Sequence, residues 1–196
     1  MKLKNNVRLL ITCDSGAGAG KTTASKYLSK RYKLNLLTSG LLYRYVAHKL
    51  IISKKNATDI LFLKKITKNI NSKLLKNPKL YSPKITEYTS EIAKIKKVRQ
   101  LLRGYQKKFA TKKHAILEGR DMGILFPNAD VKIFFKCSLK VAAKRRFKEF
   151  KKTNNKRFIF EEGNNNSQNK IVSVFRGGVR NFFEDDIIKV VIPTTY

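Results

Sequence analysis

Small residues crowd one short stretch near the start of the chain. Residues 14–23 read Asp-Ser-Gly-Ala-Gly-Ala-Gly-Lys-Thr-Thr, after the apolar run Val7–Cys13 and before a helical pattern at Thr23–Tyr32. Small side chains let backbone N–H groups approach an anion closely, and a helix that begins here turns its N-terminus toward the same anion. An apolar strand, a glycine-rich turn, a Lys-Thr pair and a helix, in this order, predict a phosphate-binding loop.

Two residues at the end of this loop carry its chemistry. Lys21 stands where a lysine reaches the β- and γ-phosphates of a nucleotide, and the hydroxyl of Thr22 stands where it binds Mg²⁺. Ser15 replaces the first glycine of the usual eight-residue pattern, and Gly16 follows one position late. A plain Gly/Ala linker ahead of a helix is the alternative interpretation. The order of the elements favours the phosphate loop over that linker.

Short apolar runs alternate with helical patterns along the chain. Strands are predicted at Val7–Cys13, Asn35–Leu37, Ala115–Leu117, Val131–Phe135 and Ile187–Ile192. Helices are predicted at Gly20–Tyr32, Gly40–Ser53, Ile60–Leu75, Lys84–Ile95, Lys97–Ala110 and Ser138–Lys152. This alternation predicts an α/β fold with a parallel sheet, whose ligands bind beyond the carboxyl ends of the strands. We therefore expect the phosphate loop, Thr38–Gly40 and Glu118–Asp121 at one edge of that sheet.

The charge of the chain is strongly positive. It has 44 Lys and Arg against 13 Asp and Glu among 196 residues, a formal net charge of +31. Such a charge favours contact with phosphates, nucleic acid or anionic membranes without choosing among them. The lysines are spread along the whole chain, which favours solvated helix faces over a dedicated nucleic-acid patch. We expect nucleic acid to bind only through non-specific electrostatic attraction.

The cysteines and the apolar segments indicate a cytoplasmic protein. Cys13 and Cys137 each end an apolar run and form no Cys-x-x-Cys pair, so we expect buried thiols in a reducing compartment. His48 and His114 have no partner at metal-ligand spacing. No stretch of about 18 apolar residues is present, so no membrane span is expected.

Two further clusters follow predicted strands and carry polar groups. Ser39, Tyr43 and Arg44 combine hydroxyl groups with a guanidinium, which suits a phosphate monoester and a planar ring. Arg120 and Asp121 stand side by side and together offer a donor and an acceptor to the edge of a base. Each cluster alone also fits an ordinary surface, and the second also fits a local ion pair.

In order and spacing, these motifs closely resemble those of bacterial cytidylate kinases over roughly residues 7–150. The phosphate loop is followed by Thr38-Ser-Gly-Leu-Leu-Tyr-Arg44, Val98-Arg-Gln-Leu-Leu102 with Gln106, Glu118-Gly-Arg-Asp-Met-Gly123 and Phe126–Phe134. The resemblance implies a three-layer P-loop NTPase-type fold, with a parallel sheet flanked by helices and a small acceptor-binding insert. It also implies that the protein transfers the γ-phosphoryl group of ATP to CMP or dCMP, in pyrimidine nucleotide metabolism.

The same resemblance implies roles for individual residues. Lys21, Arg44 and Arg120 would be catalytic, and Mg²⁺ would accompany ATP at Thr22. Within the acceptor site, the cytosine edge would be read by Ser90, Arg120 and Asp121, and the other residues would hold mainly the phosphate. ATP would contact Ser15, Gly16, Ala17, Gly18, Ala19, Gly20, Lys21, Thr22 and Thr23. CMP would contact Ser39, Tyr43, Arg44, Ser90, Arg99, Arg120 and Asp121.

One P-loop kinase domain is expected over residues 1–196, with a core at about 5–152 and a helical acceptor-binding part at about 40–110. The region between Leu50 and Ser90 is short and rich in lysine, where the family carries a strand-rich insert. From about 153 to 196 the chain departs from the family and is expected to form a divergent or disordered lid or tail. Because the Asp- and Arg-rich run of the family lid is missing there, the hypothesis is a divergent or frame-shifted tail and impaired turnover.

Two other functions remain open at this point. One is a related P-loop kinase that phosphorylates a different small molecule, which would keep the loop and the fold. The other is a catalytically impaired, basic nucleic-acid-binding protein that retains a degenerate loop. For the favoured function we expect a monomer whose partners are ATP and CMP or dCMP.

Overall fold

The computed structural model of the chain describes residues 8–16, 18–152 and 188–191. Within this part, five strands form one sheet in the order β2-β3-β1-β4-β5. Their bounds are β1 Leu9–Ser15, β2 Asn35–Thr38, β3 His114–Gly119, β4 Val131–Phe135 and β5 Ile188–Val191. The expected parallel sheet is confirmed for β1 to β4, whereas β5 pairs antiparallel with β4. An antiparallel strand at the edge of a parallel sheet is common, and an apolar run does not encode the direction of its pairing.

Helices connect the strands, and most of them lie where the sequence predicts. Their bounds are α1 Lys21–Tyr32, α2 Ser39–Ile52, α3 Ile60–Lys68, α4 Pro83–Ile92, α5 Lys96–Ala110, α6 Met122–Leu125 and α7 Leu139–Lys152. Short 3₁₀ turns at Leu74–Lys76 and Pro78–Tyr81 lie between α3 and α4. Ser138 caps the N-terminus of α7, because its hydroxyl accepts a hydrogen bond from the Val141 N–H at 3.4 Å.

The predicted helix Ile60–Leu75 is wrong in its second half. The helix begins at Ile60 but ends at Lys68. The side chain of Asn71 then accepts a hydrogen bond from the backbone N–H of Leu74 at 3.0 Å and starts the first 3₁₀ turn. Asparagine side chains compete in this way with the backbone bonds of a helix, and apolar spacing alone does not register that competition.

Helices cover both faces of the sheet, which gives the three expected layers. Successive side chains of a strand point to opposite faces. Leu10 and Leu117 belong to the larger apolar core, together with the segment from α2 to α5. Ile11 and Ile116 belong to a second core, against which Leu28 of α1 packs. The segment from α2 to α5 therefore lies on one face of the sheet and α1 on the other.

The two cysteines differ in their surroundings. Cys13 is fully buried, and burial raises the pKa of its thiol to about 11. Cys137 is only half-buried, so the expected burial is wrong for this residue. It follows Phe135, the last residue of β4, and has already left the sheet. Across the described residues no cluster of His, Cys, Asp and Glu suits a metal ion, and no helix is long and apolar enough to cross a membrane.

Candidate active site

The carboxyl ends of three neighbouring strands meet at one edge of the sheet. Glu118 of β3 lies in register with Thr38 of β2 on one side and with Cys13 of β1 on the other. The chain leaves β1 into the phosphate loop, β2 directly into α2, and β3 into Arg120 and Asp121. The three segments that the sequence places at strand ends therefore lie side by side, as expected.

The phosphate loop has the open backbone that its composition predicts. Gly18 and Gly20 have φ of 77° and 87°, in the left-handed region that favours glycine. Gly20 is the N-cap of α1, and no side chain caps that end of the helix. The first backbone N–H groups of α1 are therefore available to an anion.

The remaining residues of the phosphate loop differ in how far they are buried. Ser15 is the buried last residue of β1, and its hydroxyl donates to the Gly16 carbonyl at 2.7 Å. Ala19 is half-buried, whereas Thr23 is exposed on the first turn of α1. Ala17 lies outside the described residues. The unusual serine thus belongs to the strand, and the left-handed turns come after it.

Gly18→Ala is expected to destabilise the protein by about 1–3 kcal/mol, because a β-carbon there combines an unfavourable φ with a close contact. That β-carbon would lie 2.9 Å from the carbonyl oxygen of Ala142 on α7. Gly16→Ala is the matched control, since its β-carbon would meet nothing within 4 Å. Urea unfolding of both variants checks the prediction. Equal losses of unfolding free energy would contradict it.

A carboxylate that the sequence reasoning missed stands beside the Lys-Thr pair. The Thr22 hydroxyl donates to Glu118 Oε1 at 3.0 Å, and Lys21 is the half-buried first residue of α1. Glu118 is 1% exposed, and its Oε2 is buried with no hydrogen-bond partner among the described residues. Hydroxyl and carboxylate oxygens are ligands that Mg²⁺ prefers, so this pair fits the expected metal. The signal in the sequence is an acidic residue directly after a buried apolar run.

The carboxylate of Asp14, which the sequence did not mark as functional, connects β1 to the turn that carries Arg120 and Asp121. Asp14, near the end of β1, accepts hydrogen bonds from the backbone N–H groups of Met122 at 2.8 Å and Gly123 at 2.6 Å. These two donors begin α6, directly after Arg120 and Asp121. Burial raises the pKa of the Asp14 carboxyl, and the two backbone donors oppose that rise. Asp14 thereby fixes the Arg120-Asp121 turn to the strand that carries the phosphate loop.

The N-terminus of α2 lies at the same edge of the sheet, on the other side of β3 from the phosphate loop. Thr38 is the N-cap of α2, and its side chain makes no capping hydrogen bond. Ser39, the first residue of α2, is 4% exposed. Its hydroxyl oxygen accepts a hydrogen bond from Gln106 Nε2 of α5 at 2.7 Å. This helix end, like that of α1, leaves backbone donors available to an anion.

Three of the expected acceptor residues are brought together beside α5. Arg99 donates to Asp121 Oδ2 at 2.7 Å, and both side chains are partly exposed. Burial raises the pKa of the Tyr43 hydroxyl, and the charges of Asp121 and Arg99 also act on it. Asp121 therefore forms an ion pair with Arg99, a residue of α5 that is 22 positions away in the chain. Arg120 is exposed on the same turn.

The two other expected acceptor residues lie on the helical segment. Arg44 donates to the carbonyl of Leu80 at 2.8 Å and to the hydroxyl of Thr86 at 3.0 Å, and its guanidinium lies 5.3 Å from the centre of the Tyr81 ring. It therefore joins α2 to the 3₁₀ turn at Pro78–Tyr81 and to α4. Ser90 is exposed near the end of α4, and it makes no hydrogen bond to Asp121 within the part of the chain that the structure describes.

One cation beside the phosphate loop was not anticipated. Arg145 of α7 donates to the carbonyl of Gly18 at 3.4 Å. A β-carbon on Gly20 would lie 3.8 Å from the same guanidinium. Nothing in the local sequence marks Arg145, because its position depends on how α7 packs across the loop. The expected lid at about 153–196 lies outside the described residues, apart from β5.

This sheet order, with a glycine-rich loop between β1 and α1, defines a P-loop protein of the nucleotide-binding α/β class. A family model described as cytidylate kinase matches residues 11–164. The chain belongs to the cytidylate kinase family, whose members are nucleoside monophosphate kinases. The match extends somewhat beyond the expected limit of about 150, and the rest of the tail is unmatched.

Individual relatives agree with the family match. The cytidylate kinase of Fusobacterium nucleatum subsp. nucleatum is 35% identical over 153 residues, covering 72% of this chain and 70% of the relative. That of Acidiphilium cryptum is 37% identical over 142 residues, covering 72% and 67%. Among solved structures, TT1252 from Thermus thermophilus is 15% identical and covers 73% of each chain at a TM-score of 0.38. That structural likeness is too low to bear on function.

Proposed function

We propose that the protein transfers the γ-phosphoryl group of ATP to the phosphate of CMP or dCMP, with Mg²⁺. The observation that carries the proposal is a pair of helix N-termini without side-chain caps, those of α1 and α2, on either side of Glu118. The strands that lead to them, β1 and β2, are separated only by β3, which corresponds to about 10 Å. Two anion sites at that separation suit the phosphates of a donor and an acceptor.

The donor side is assigned to the loop after β1. The backbone N–H groups of residues 18–20 and of the first turn of α1 hold the β- and γ-phosphates, and Lys21 offsets their charge. Thr22 and Glu118 would hold Mg²⁺, which supplies further charge neutralisation on the transferring group. Arg145 lies beside the same loop and adds a positive charge. Residues 15–23 as a whole form the ATP site in this proposal.

On the acceptor side, the first turn of α2 holds the phosphate of CMP, and Ser39 adds its hydroxyl. Tyr43, Arg44 and Arg99 also hold the nucleotide, mainly its phosphate. Arg44 and Arg120 neutralise charge on the transferring phosphoryl group. The acceptor phosphate is already an anion, so no strong general base is required. The reaction joins an acceptor phosphate oxygen to the γ-phosphorus as the bond from that phosphorus to the β-phosphate oxygen breaks, which leaves ADP.

Asp121 is proposed to read the base together with Ser90 and Arg120. A carboxylate accepts a hydrogen bond from the exocyclic amine of cytosine, and uracil has a carbonyl at that position. Asp121→Ala is therefore expected to lower the CMP-to-UMP ratio of kcat/KM about tenfold or more. The measurement is initial rates with both acceptors. Asp130→Ala removes a carboxylate near the opposite end of β1 and serves as the control. An unchanged ratio in Asp121→Ala would contradict the base-reading role.

The proposed activity is tested by ADP release with ATP, Mg²⁺ and CMP, beside UMP, AMP and shikimate as acceptors. We expect turnover with CMP well above that with the other three. Turnover with a different acceptor alone would mean a related small-molecule kinase. Tight RNA binding with a steep salt dependence and no nucleotide turnover would support the basic nucleic-acid-binding alternative, which the net charge of +31 favours.

The wider organisation belongs to the same proposal. The chain acts as a single P-loop kinase domain, with its acceptor-binding part at about 40–110 supplied by α2 to α5. It works as a monomer in the cytoplasm. If the tail after about 153 does not supply lid arginines, CMP binding is retained while turnover is reduced. Saturable CMP binding without turnover in the same assay would identify that case.

A further inference from the structure

A buried hydrogen bond links the acceptor side of the site to a residue with no assigned role. Gln106 of α5 is 2% exposed and Ser39 of α2 is 4% exposed. The Gln106 Nε2 donates to the Ser39 oxygen at 2.7 Å, between residues that are 67 positions apart in the chain. Gln106 is a polar side chain among apolar neighbours on α5, where Val98, Leu102 and Phe109 are buried. Its amide is therefore held in place by the core around it.

This contact determines whether the Ser39 hydroxyl donates or accepts its next hydrogen bond. A serine hydroxyl has one hydrogen to donate and two lone pairs that accept. When an amide N–H occupies a lone pair, the hydroxyl hydrogen remains for a different acceptor. The backbone N–H groups in the first turn of α2 are donors as well, and the side chain of Thr38 does not cap them. Every group at this helix end then donates, which suits an anion with several oxygens.

We propose that Gln106 is a positioning residue that holds the Ser39 hydroxyl as a donor to the phosphate of the acceptor nucleotide. The proposal rests on the function proposed above, because it needs an acceptor phosphate at the N-terminus of α2. Gln106 does not touch the substrate in this arrangement. It acts through Ser39, so its removal raises the KM for the acceptor and leaves the KM for ATP unchanged.

Two substitutions separate this role from simple packing. Gln106→Met keeps the length of the side chain and removes the donor, so the Ser39 hydroxyl is no longer oriented. We expect a KM for CMP on the order of fivefold higher, with kcat and the KM for ATP close to wild type. Gln106→Glu replaces the donor with a carboxylate that accepts the Ser39 hydrogen and repels the phosphate. We expect a KM for CMP about tenfold higher or more.

A double-mutant cycle with Ser39→Ala is the decisive experiment. The KM and the directly measured Kd for CMP are determined for the wild type, Gln106→Met, Ser39→Ala and the double variant, together with thermal unfolding of each. If Gln106 acts through Ser39, Gln106→Met has no further effect on CMP binding once Ser39 is alanine. If Gln106→Glu does not fold, the Gln106→Met cycle carries the test alone.

Either of two results overturns the proposal. If the substitution of Gln106 weakens the binding of CMP and of ATP equally, Gln106 has only a general packing role. If the effects of the two single substitutions on CMP binding are additive, Gln106 does not act through Ser39. The wild type in the same experiment reports on the function itself. If the wild type phosphorylates CMP and the variants bind CMP as tightly as the wild type does, only the proposed role of Gln106 is refuted. A wild type that neither binds nor phosphorylates CMP removes the proposed function and this inference with it.

Discussion

Lys21→Ala is expected to lower the turnover of CMP by about a thousandfold or more, with CMP binding retained. Lys21 is the first residue of α1, beside the uncapped N–H groups of the phosphate loop. A positive charge at this point stabilises charge that develops on the transferring phosphoryl group, and losing one such group typically costs two to three orders of magnitude or more. The measurement is kcat from ADP release at saturating ATP and CMP.

Lys26→Ala provides the matched control for that variant. Lys26 lies on the same helix and is exposed, so its removal changes the net charge equally without touching the loop. We expect wild-type turnover from Lys26→Ala. Comparable losses of turnover in the two variants would mean that the overall charge of the protein matters. Full activity of Lys21→Ala would mean that the phosphate loop does not take part in the mechanism.

Asp14→Ala is expected to destabilise the protein by about 2–4 kcal/mol and to raise the KM for CMP. The substitution leaves the backbone N–H groups of Met122 and Gly123 without their charged acceptor, and hydrogen bonds of this kind are among the stronger ones. It also releases the turn that carries Arg120 and Asp121. The free energy of unfolding in urea and the KM values for CMP and ATP measure the two effects.

Asp130, the residue before β4, offers a comparison for Asp14 because its carboxylate bonds to the other end of β1. Its carboxylate accepts one hydrogen bond, from the backbone N–H of Leu10 at 2.6 Å, and the residue is exposed. Asp130→Ala is expected to cost about 1–2 kcal/mol and to leave the KM for CMP unchanged. If Asp14→Ala is no more destabilising than Asp130→Ala, or if it spares acceptor binding, Asp14 does not anchor the Arg120-Asp121 turn.

Most secondary structure followed from local patterns, with two exceptions. The strand β1 and the helix α1 lie where the apolar run and the glycine-rich turn predict them. The helix predicted to run to Leu75 ends at Lys68, and the Asn71 side chain starts a 3₁₀ turn soon after. The direction of β5 was not predictable either, because a short apolar run at the edge of a parallel sheet occurs in both directions of pairing.

The site itself was predicted in part. The sequence singled out the phosphate loop and the Arg120-Asp121 turn, and Tyr43, Arg99 and Asp121 do come together. The carboxylates of Asp14 and Glu118 were missed as functional groups. Asp14 bonds to residues 108 and 109 positions away, and Glu118 to a residue 96 positions away. The roles of both depend on partners that no local pattern reveals.

The sequence by itself determined the phosphate loop, the alternation of strands and helices, and the family. These features depend on small residues, backbone freedom and spacing along the chain, which are local properties. Only the tertiary structure decided that Glu118 meets Thr22, that Asp121 pairs with Arg99, and that Gln106 donates to Ser39. Each of these contacts joins residues far apart in the chain. They form because the register of β1, β2 and β3 brings three strand ends to one edge of the sheet.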